Sequence, residues 1–283
     1  MAKTGVNFVA PTLLNPPKEY EANVFEQTNR SLRIYFNQLD NALRNAMATQ
    51  VPYRTQVAQG AVPGASVVEA YGYNAAMGTT ARAVWALGNS AAYVFPSSAV
   101  IMAVVSSDAG DTAAPMLIEG LDADYKAISE TVLLDATDGT TAVNTTLAYL
   151  RVNKVTSVGV PVAGDVTLTN GGVTYAKILV GEGVSYMAQY TVPAGSTLYL
   201  DKVTATSHTA TGPASYVTYR VQATTSGGSV SLTLPSTFST GAMVLEYPNA
   251  VAYAEKTSVQ FQVAANTGTN NVSLAASGLL IAN

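Results

Sequence analysis

The stretch from Lys18 to Ala48, KEYEANVFEQTNRSLRIYFNQLDNALRNAMA, constrains this chain more than any other. It is the one long segment free of proline and glycine. Helix breakers bracket it, Asn15-Pro16-Pro17 before and Pro52 after, which sets a start and a stop. Phe25, Leu32, Leu39 and Ala46 recur every seven residues. Thr28/Asn29, Tyr35/Phe36 and Ala42/Leu43 fall between them, so an apolar stripe about two positions wide runs along one side. A helix of this length spans about 45 Å at roughly 1.5 Å per residue. Such a rod cannot bury its stripe against itself, and it needs a partner: the rest of the chain, copies of itself, or another protein. The stripe residues Phe25, Leu32, Tyr35, Phe36, Leu39 and Leu43 are therefore the candidate oligomerisation or attachment residues. The stripe is too broad and mixed for a regular coiled-coil seam, so contact on several surfaces at once is expected.

Composition points the same way. The chain has 283 residues, 48% of them hydrophobic and only 11% charged, against about 25% charged in an ordinary soluble domain. No apolar run approaches the roughly 18 residues of a membrane helix, so burial between subunits is the expected outlet and no membrane partner is expected. A net charge of −4 with a sequence pI near 5.0 supplies no basic patch for phosphate neutralisation, which argues against nucleic acid. With no cysteine there are no disulfides and no thiolate metal sites. Residues 1–17 have one lysine and no long apolar core, unlike a secretory signal. Pro11, Pro16 and Pro17 mark them as an extended N-terminal arm.

Beyond the rod, residues 50–80 carry two prolines after Val51 and several glycines, and they read as a linker. Residues 81–283 read almost throughout as β-branched and aromatic runs separated by turn chemistry: Asp138-Gly139, Asn170-Gly171-Gly172, Pro193-Ala194-Gly195 and Gly227-Gly228. The expected fold class is thus mainly β: an extended arm and a long amphipathic helix (residues 18–49), followed by a β-sandwich or jelly-roll region. A division into two subdomains would fall near residues 158–164. Exposed sheet edges with few charged gatekeepers again favour an oligomer.

Little in the sequence speaks for catalysis. His208 is the single histidine, in a polar, loop-like stretch, and no cysteine or second histidine can join it in a triad or zinc site. Gly181-Glu182-Gly183 lacks the third glycine of a dinucleotide fingerprint, because Tyr186 stands there. Acidic pairs at Asp108/Asp111, Asp122/Asp124 and Asp135/Asp138 suit calcium loops or a glycosidase pair. Aspartate also caps its own turn, which is the simpler expectation. Trp85 lies in an apolar strand and reads as core. The expectation is a non-enzymatic protein with no cofactor.

Several phrases carry a resemblance: Arg82–Leu87 (RAVWAL), Gly120–Leu134 (GLDADYKAISETVLL), Leu147–Val155 (LAYLRVNKV) and Leu179–Gly195 (LVGEGVSYMAQYTVPAG). They are similar to lines found in virion structural proteins of tailed bacteriophages, many of them marine. The front end, with Pro17, Tyr20 and Phe25 followed by Leu32–Asn41 (LRIYFNQLDN), resembles N-terminal anchoring helices of phage fibre and appendage proteins. The resemblance covers most of the chain, and its motifs are structural rather than catalytic. It implies a virion location and a capsid-attached decoration or fibre assembled through the helix. The partners implied are copies of itself, expected as a homotrimer, and major capsid or tail proteins. The alternative is a tail component or receptor-binding protein that contacts the host surface through β-sandwich loops.

Overall fold

The computed structural model describes residues 22–48, 51–87, 92–159, 161–211, 216–233, 236–239 and 241–283. Two helices come first, α1 (Ala22–Ala48) and α2 (Tyr53–Ala58). The first strands are β1 (Ala65–Met77), β2 (Arg82–Ala83), β3 (Ala103–Ser106), β4 (Pro115–Leu121), β5 (Ala127–Leu133) and β6 (Val143–Asn144). Next are β7 (Arg151–Ser157), β8 (Val166–Asn170), β9 (Val173–Ile178), β10 (Gln189–Thr191), β11 (Ser196–Thr211) and β12 (Tyr216–Thr224). The chain closes with β13 (Val230–Leu232), β14 (Ser236–Ser239), β15 (Gly241–Tyr253), β16 (Ser258–Ala265) and β17 (Thr269–Ala282). The chain divides into two compact units, Met1–Gln56 and Val57–Asn283. Of the extended arm (residues 1–17) and Lys18–Glu21, all lie outside the described residues.

Among the described residues all the strand pairings in the second unit are antiparallel, as the turn spacing predicts. One sheet has the order β1-β17-β11-β15; a second, six-stranded sheet runs β10-β16-β12-β13, with β14 on β12 and β2 on β16. Val203, Ala205, Leu274 and Ala276 of the first sheet share a core with Tyr219, Val221, Phe261 and Val263 of the second. Two smaller sheets, β6-β3-β8-β9 and β5-β4-β7, share another core around Met102, Val104, Met116, Ile118, Tyr149, Val155 and Leu168. The strand orders define two antiparallel sandwiches and do not by themselves specify a jelly roll.

The expected division near residues 158–164 is corrected. Val162 is buried in the smaller core, and Ala163 and Gly164 hold a carboxylate there, so that segment lies inside a sandwich. The smaller sandwich is an insertion into the larger one. Its chain leaves at β2 and returns at β10, and both of those strands pair with β16. Val84 N–H donates to the Phe261 carbonyl at 3.0 Å, Phe261 N–H to Ala188 at 3.0 Å and Ala188 N–H to Val84 at 2.8 Å, which fastens departing and returning chain to one strand.

β16 is consequently covered on both faces, with seven of its eight residues buried. Val259, Phe261 and Val263 face the larger core. Between them stand Ser258, Gln260 and Gln262, which hydrogen-bond among their neighbours: Arg220 Nε donates to Gln262 Oε1 at 2.8 Å, and Gln262 Nε2 to Gln222 Oε1 at 2.8 Å. Buried amides of this kind are tolerated because they are paired. Arg151 of the smaller sandwich reaches this zone and donates to the Leu150 carbonyl at 2.7 Å and the Pro96 carbonyl at 3.1 Å. Its guanidinium lies 4.6 Å from the Phe95 ring centroid and 5.5 Å from that of Tyr125. Trp85 is core, as expected, and heads an edge-to-face series in which Trp85–Tyr93 centroids are 5.0 Å apart and Tyr93–Phe95 5.1 Å.

The linker expected at residues 50–80 is the largest correction. It contains α2 and the long strand β1, whose register runs from Ala65↔Ile281 to Met77↔Asn270. The misreading has a physical cause. β1 turns its large residues outward (Glu69, Tyr71, Tyr73) and its small ones inward (Ala70, Gly72), so the usual alternation of bulk is inverted. Gly72 has no room for a side chain, because a Cβ there would collide with the Val84 carbonyl and the Ala188 Cβ. Asn74, also inward, is buried and satisfied: its Nδ2 donates to the Trp85 carbonyl at 2.7 Å and its Oδ1 accepts from Ala76 N–H at 2.8 Å. His208 is exposed, but it sits on β11 opposite Asn271 rather than in a loop.

Gly72→Ala is expected to destabilise the second unit by about 1–3 kcal/mol through overpacking against backbone, seen as a melting temperature several degrees lower. Gly183→Ala, where a Cβ meets nothing within 4 Å, is the control and should stay within about 0.5 kcal/mol of wild type.

Candidate interaction surfaces

Within its own unit, α1 forms because its sequence carries many Ala, Leu, Arg and Gln and is free of breakers. Its 27 residues make a rod of about 40 Å. Phe25 and Phe36 are each 59% exposed and Leu43 51%, while Leu32, Tyr35 and Leu39 are half-buried. At roughly 100° per residue, Phe25, Phe36 and Leu43 fall along one line, with Leu32, Leu39 and Tyr35 beside it on one flank. The six stripe residues thus occupy a common side of the helix, with the Tyr35 and Phe36 rings edge-to-face at 5.8 Å. Ile34, 50% exposed, projects from the opposite side and was not part of the expected stripe. The apolar surface of the rod is therefore wider than the heptad spacing implies.

The second unit has its own open borders. β15 is the last strand of its sheet, and Glu246 is the one charged residue along it. Its pairing with β11 breaks where Asp201 faces Tyr247–Ala250, since Leu200 pairs with Val251 and Lys202 with Glu246. Pro248 sits in that break, where no ladder donor is needed. The extra residue at Asp201 also resets the phase of β11, so that Leu198 and Leu200 before it and Val203 and Ala205 after it all point into the core. Val244 on β15 and Val230 and Leu232 on β13 are exposed.

The acidic pairs serve backbone. Asp122 Oδ1 accepts from Asp124 N–H and Lys126 N–H, both at 2.9 Å. Asp135 Oδ1 accepts from Thr137 N–H at 2.8 Å and its hydroxyl at 2.7 Å, and Asp138 Oδ1 accepts from Thr140 in the same way at 2.9 and 2.7 Å. Asp108 Oδ1 accepts from Gly110 N–H at 2.7 Å. These are the side-chain turns expected of aspartate. Glu130, in the GLDADYKAISETVLL phrase, accepts from Thr146 N–H at 2.9 Å, the Thr146 hydroxyl at 2.6 Å and Leu147 N–H at 3.0 Å. Among the described residues no three acidic or histidine side chains gather as metal ligands, and no described helix is long and apolar enough to cross a membrane.

Asp111 differs from its neighbours in being buried. Ser106 Oγ donates to its Oδ2 at 2.5 Å, Gly164 N–H to the same oxygen at 2.9 Å, and Ala163 N–H to Oδ1 at 2.7 Å. Burial pushes this carboxyl up, but the Ser106 hydroxyl and the two amides together hold it below the usual carboxylate value. It is a fastener between two loops of the smaller sandwich.

No known protein-family profile matches the chain, and no curated protein does. Among solved structures, one described as the structure of infectious bursal disease virus Gx strain aligns at 11% identity and a TM-score of 0.22, covering 83% of this chain and 78% of that one. A second, of the Gt strain of the same virus, aligns at 8% identity and a TM-score of 0.20, covering 82% and 78%. Likeness at that level carries no conclusion about fold or role.

A carboxyl with a lowered folded-state pKa stabilises the fold above its unfolded value, about 3.9, and that contribution is lost as pH falls through the folded value. Asp111→Asn should therefore cost about 1–3 kcal/mol at neutral pH, since an amide presents an N–H₂ to donors that need an acceptor. In urea unfolding series at neutral and acidic pH, the gap between the two proteins should narrow once pH drops below about 4.

Proposed function

We propose that this chain is a non-enzymatic structural protein of a virion, of the tailed-phage decoration or fibre type, assembled and attached through helix α1. The observation that carries the reading is the wide exposed apolar surface of that helix. Phe36 and Leu43 lie on the stripe and Ile34 on the reverse, each at least half exposed in the single chain. Side chains of this size contribute about 1.5–3 kcal/mol each when removed from water, so several together supply enough to drive association. The low charge of the whole chain and the open, thinly charged border of β15 support the same assembly role. The motif resemblance supplies the class of particle, and Asp108, Asp122, Asp135 and Asp138 of the second unit are accounted for by turns. Three copies closing around the helix is the arrangement proposed, with a capsid or tail protein as the other partner.

Light scattering of the intact protein beside a version lacking residues 1–50 tests this reading. The intact protein should run as a trimer and the shortened one as a monomer that loses the helical contribution and keeps the β-type circular dichroism signal. Phe36→Ala and Leu43→Ala should each weaken association by about 2–4 kcal/mol and leave the melting of the second unit in place. An intact protein that stays monomeric at high concentration would contradict the assembly role of α1.

A further inference from the structure

The outward-facing tyrosines of β1 border a groove that the assembly role leaves unexplained. Across the outer face of the larger sandwich the register aligns Tyr73 with Ser273 and Thr206, and Tyr71 with Ala275 and Thr204. The two central strands thus present short side chains, three of them hydroxyl-bearing, and form a floor. Tyr71 and Tyr73 rise on one side. Tyr186 stands against Tyr73, edge to face with ring centroids 6.3 Å apart, and Glu182 flanks it. The groove is open to solvent and its volume is about 460 Å³, within the range of small-molecule sites.

The rim is held by hydrogen bonds rather than by loose side chains. Tyr186 OH donates to Glu182 Oε2 at 2.8 Å, Tyr71 OH donates to a Glu69 carboxylate oxygen, and Asn271 Nδ2 donates to Tyr73 OH at 3.3 Å. The Glu69 bond, with some burial, pushes the Tyr71 hydroxyl up to about 12, so it remains a protonated donor at any physiological pH. A fixed tyrosine face is apolar and its tip is polar. Each paired carboxylate keeps lone pairs open to further donors.

We propose that this groove binds a neutral saccharide, a short stretch of a hydroxyl-rich glycan whose C–H face lies on the tyrosines. The lining selects that chemistry. No Lys or Arg lines the groove and a carboxylate does, so an anionic ligand such as a phosphate or a uronic acid is repelled. A quaternary ammonium group would suit tyrosines and a carboxylate, but it has no use for the hydroxyl floor of Thr204, Thr206 and Ser273. A sugar uses both walls and floor. This inference goes beyond the assembly role and does not depend on it, because none of the lining residues belongs to α1.

A printed array of neutral and acidic glycans, probed with the full-length protein, identifies the best neutral oligosaccharide, and calorimetric titration then measures it. Binding should be saturable and confined to neutral glycans. Tyr73→Ala should weaken it at least about tenfold. Thr206→Arg, which fills the groove from an exposed floor position, should abolish it with melting unchanged. That second variant keeps the test decisive if Tyr73→Ala disturbs the strand. Silence of every neutral glycan at millimolar concentration overturns the proposal. So does binding that Thr206→Arg leaves intact, and so does saturable binding of choline in place of sugars. Trimerisation is scored separately, so either conclusion can fail without the other.

Discussion

Burial of β16 on both faces is the constraint on which the rest of the second unit depends. An ordinary sandwich strand alternates apolar and solvated residues, but this one is covered by the larger core on one side and by inserted chain on the other. Its polar face is not wet and not empty. Gln262 accepts from Arg220 and donates to Gln222 and Gln260, so these buried amides cost little. Because β2 and β10 both pair with β16, the insertion leaves and re-enters the larger sandwich at a single strand. Arg151 then closes the contact, serving carbonyls at 2.7 and 3.1 Å while stacked near Phe95 and Tyr125. A reciprocal pair adds to it: Asn153 Nδ2 donates to the Thr191 carbonyl at 3.0 Å and Thr191 N–H to Asn153 Oδ1 at 2.9 Å.

The helix obeys the opposite rule. The second unit satisfies its buried Asp111, Asn74 and Gln262 internally, whereas α1 leaves phenylalanine, leucine and isoleucine exposed. One chain therefore combines a β body that has its own buried cores with a rod that carries exposed apolar side chains. The proposed assembly role rests on that division. The tyrosine groove lies on the outer face of the larger sandwich.

The sequence made the strong periodicities legible and hid the features set by tertiary contact. The helix between proline brackets, the antiparallel strands between glycine turns and the turn-capping aspartates all follow from local chemistry. β1 did not, because its inward positions include Ala70, Gly72 and the polar Asn74, and the close approach of Val84 and Ala188 leaves no room for a side chain at Gly72. That error also hid the groove, since Tyr71 and Tyr73 look like linker residues until β17 is placed beside them. The domain division failed for a related reason. Residues 158–164 have the glycines of a boundary, but the true joints are the two- and three-residue strands β2 and β10, whose partner β16 lies far along the chain. Ile34 was passed over because it is off the heptad, although its exposure matters as much as that of Phe36.

The central claim is that α1 is the connector and the β body stands alone. Hydrogen exchange across a dilution series tests it most directly, peptide by peptide. The amides of α1 should be protected at high concentration and exchange freely on dilution, while those of β11, β12 and β16 keep the same protection throughout. Concentration-independent protection of α1, or a loss of protection in β16 on dilution, would contradict it.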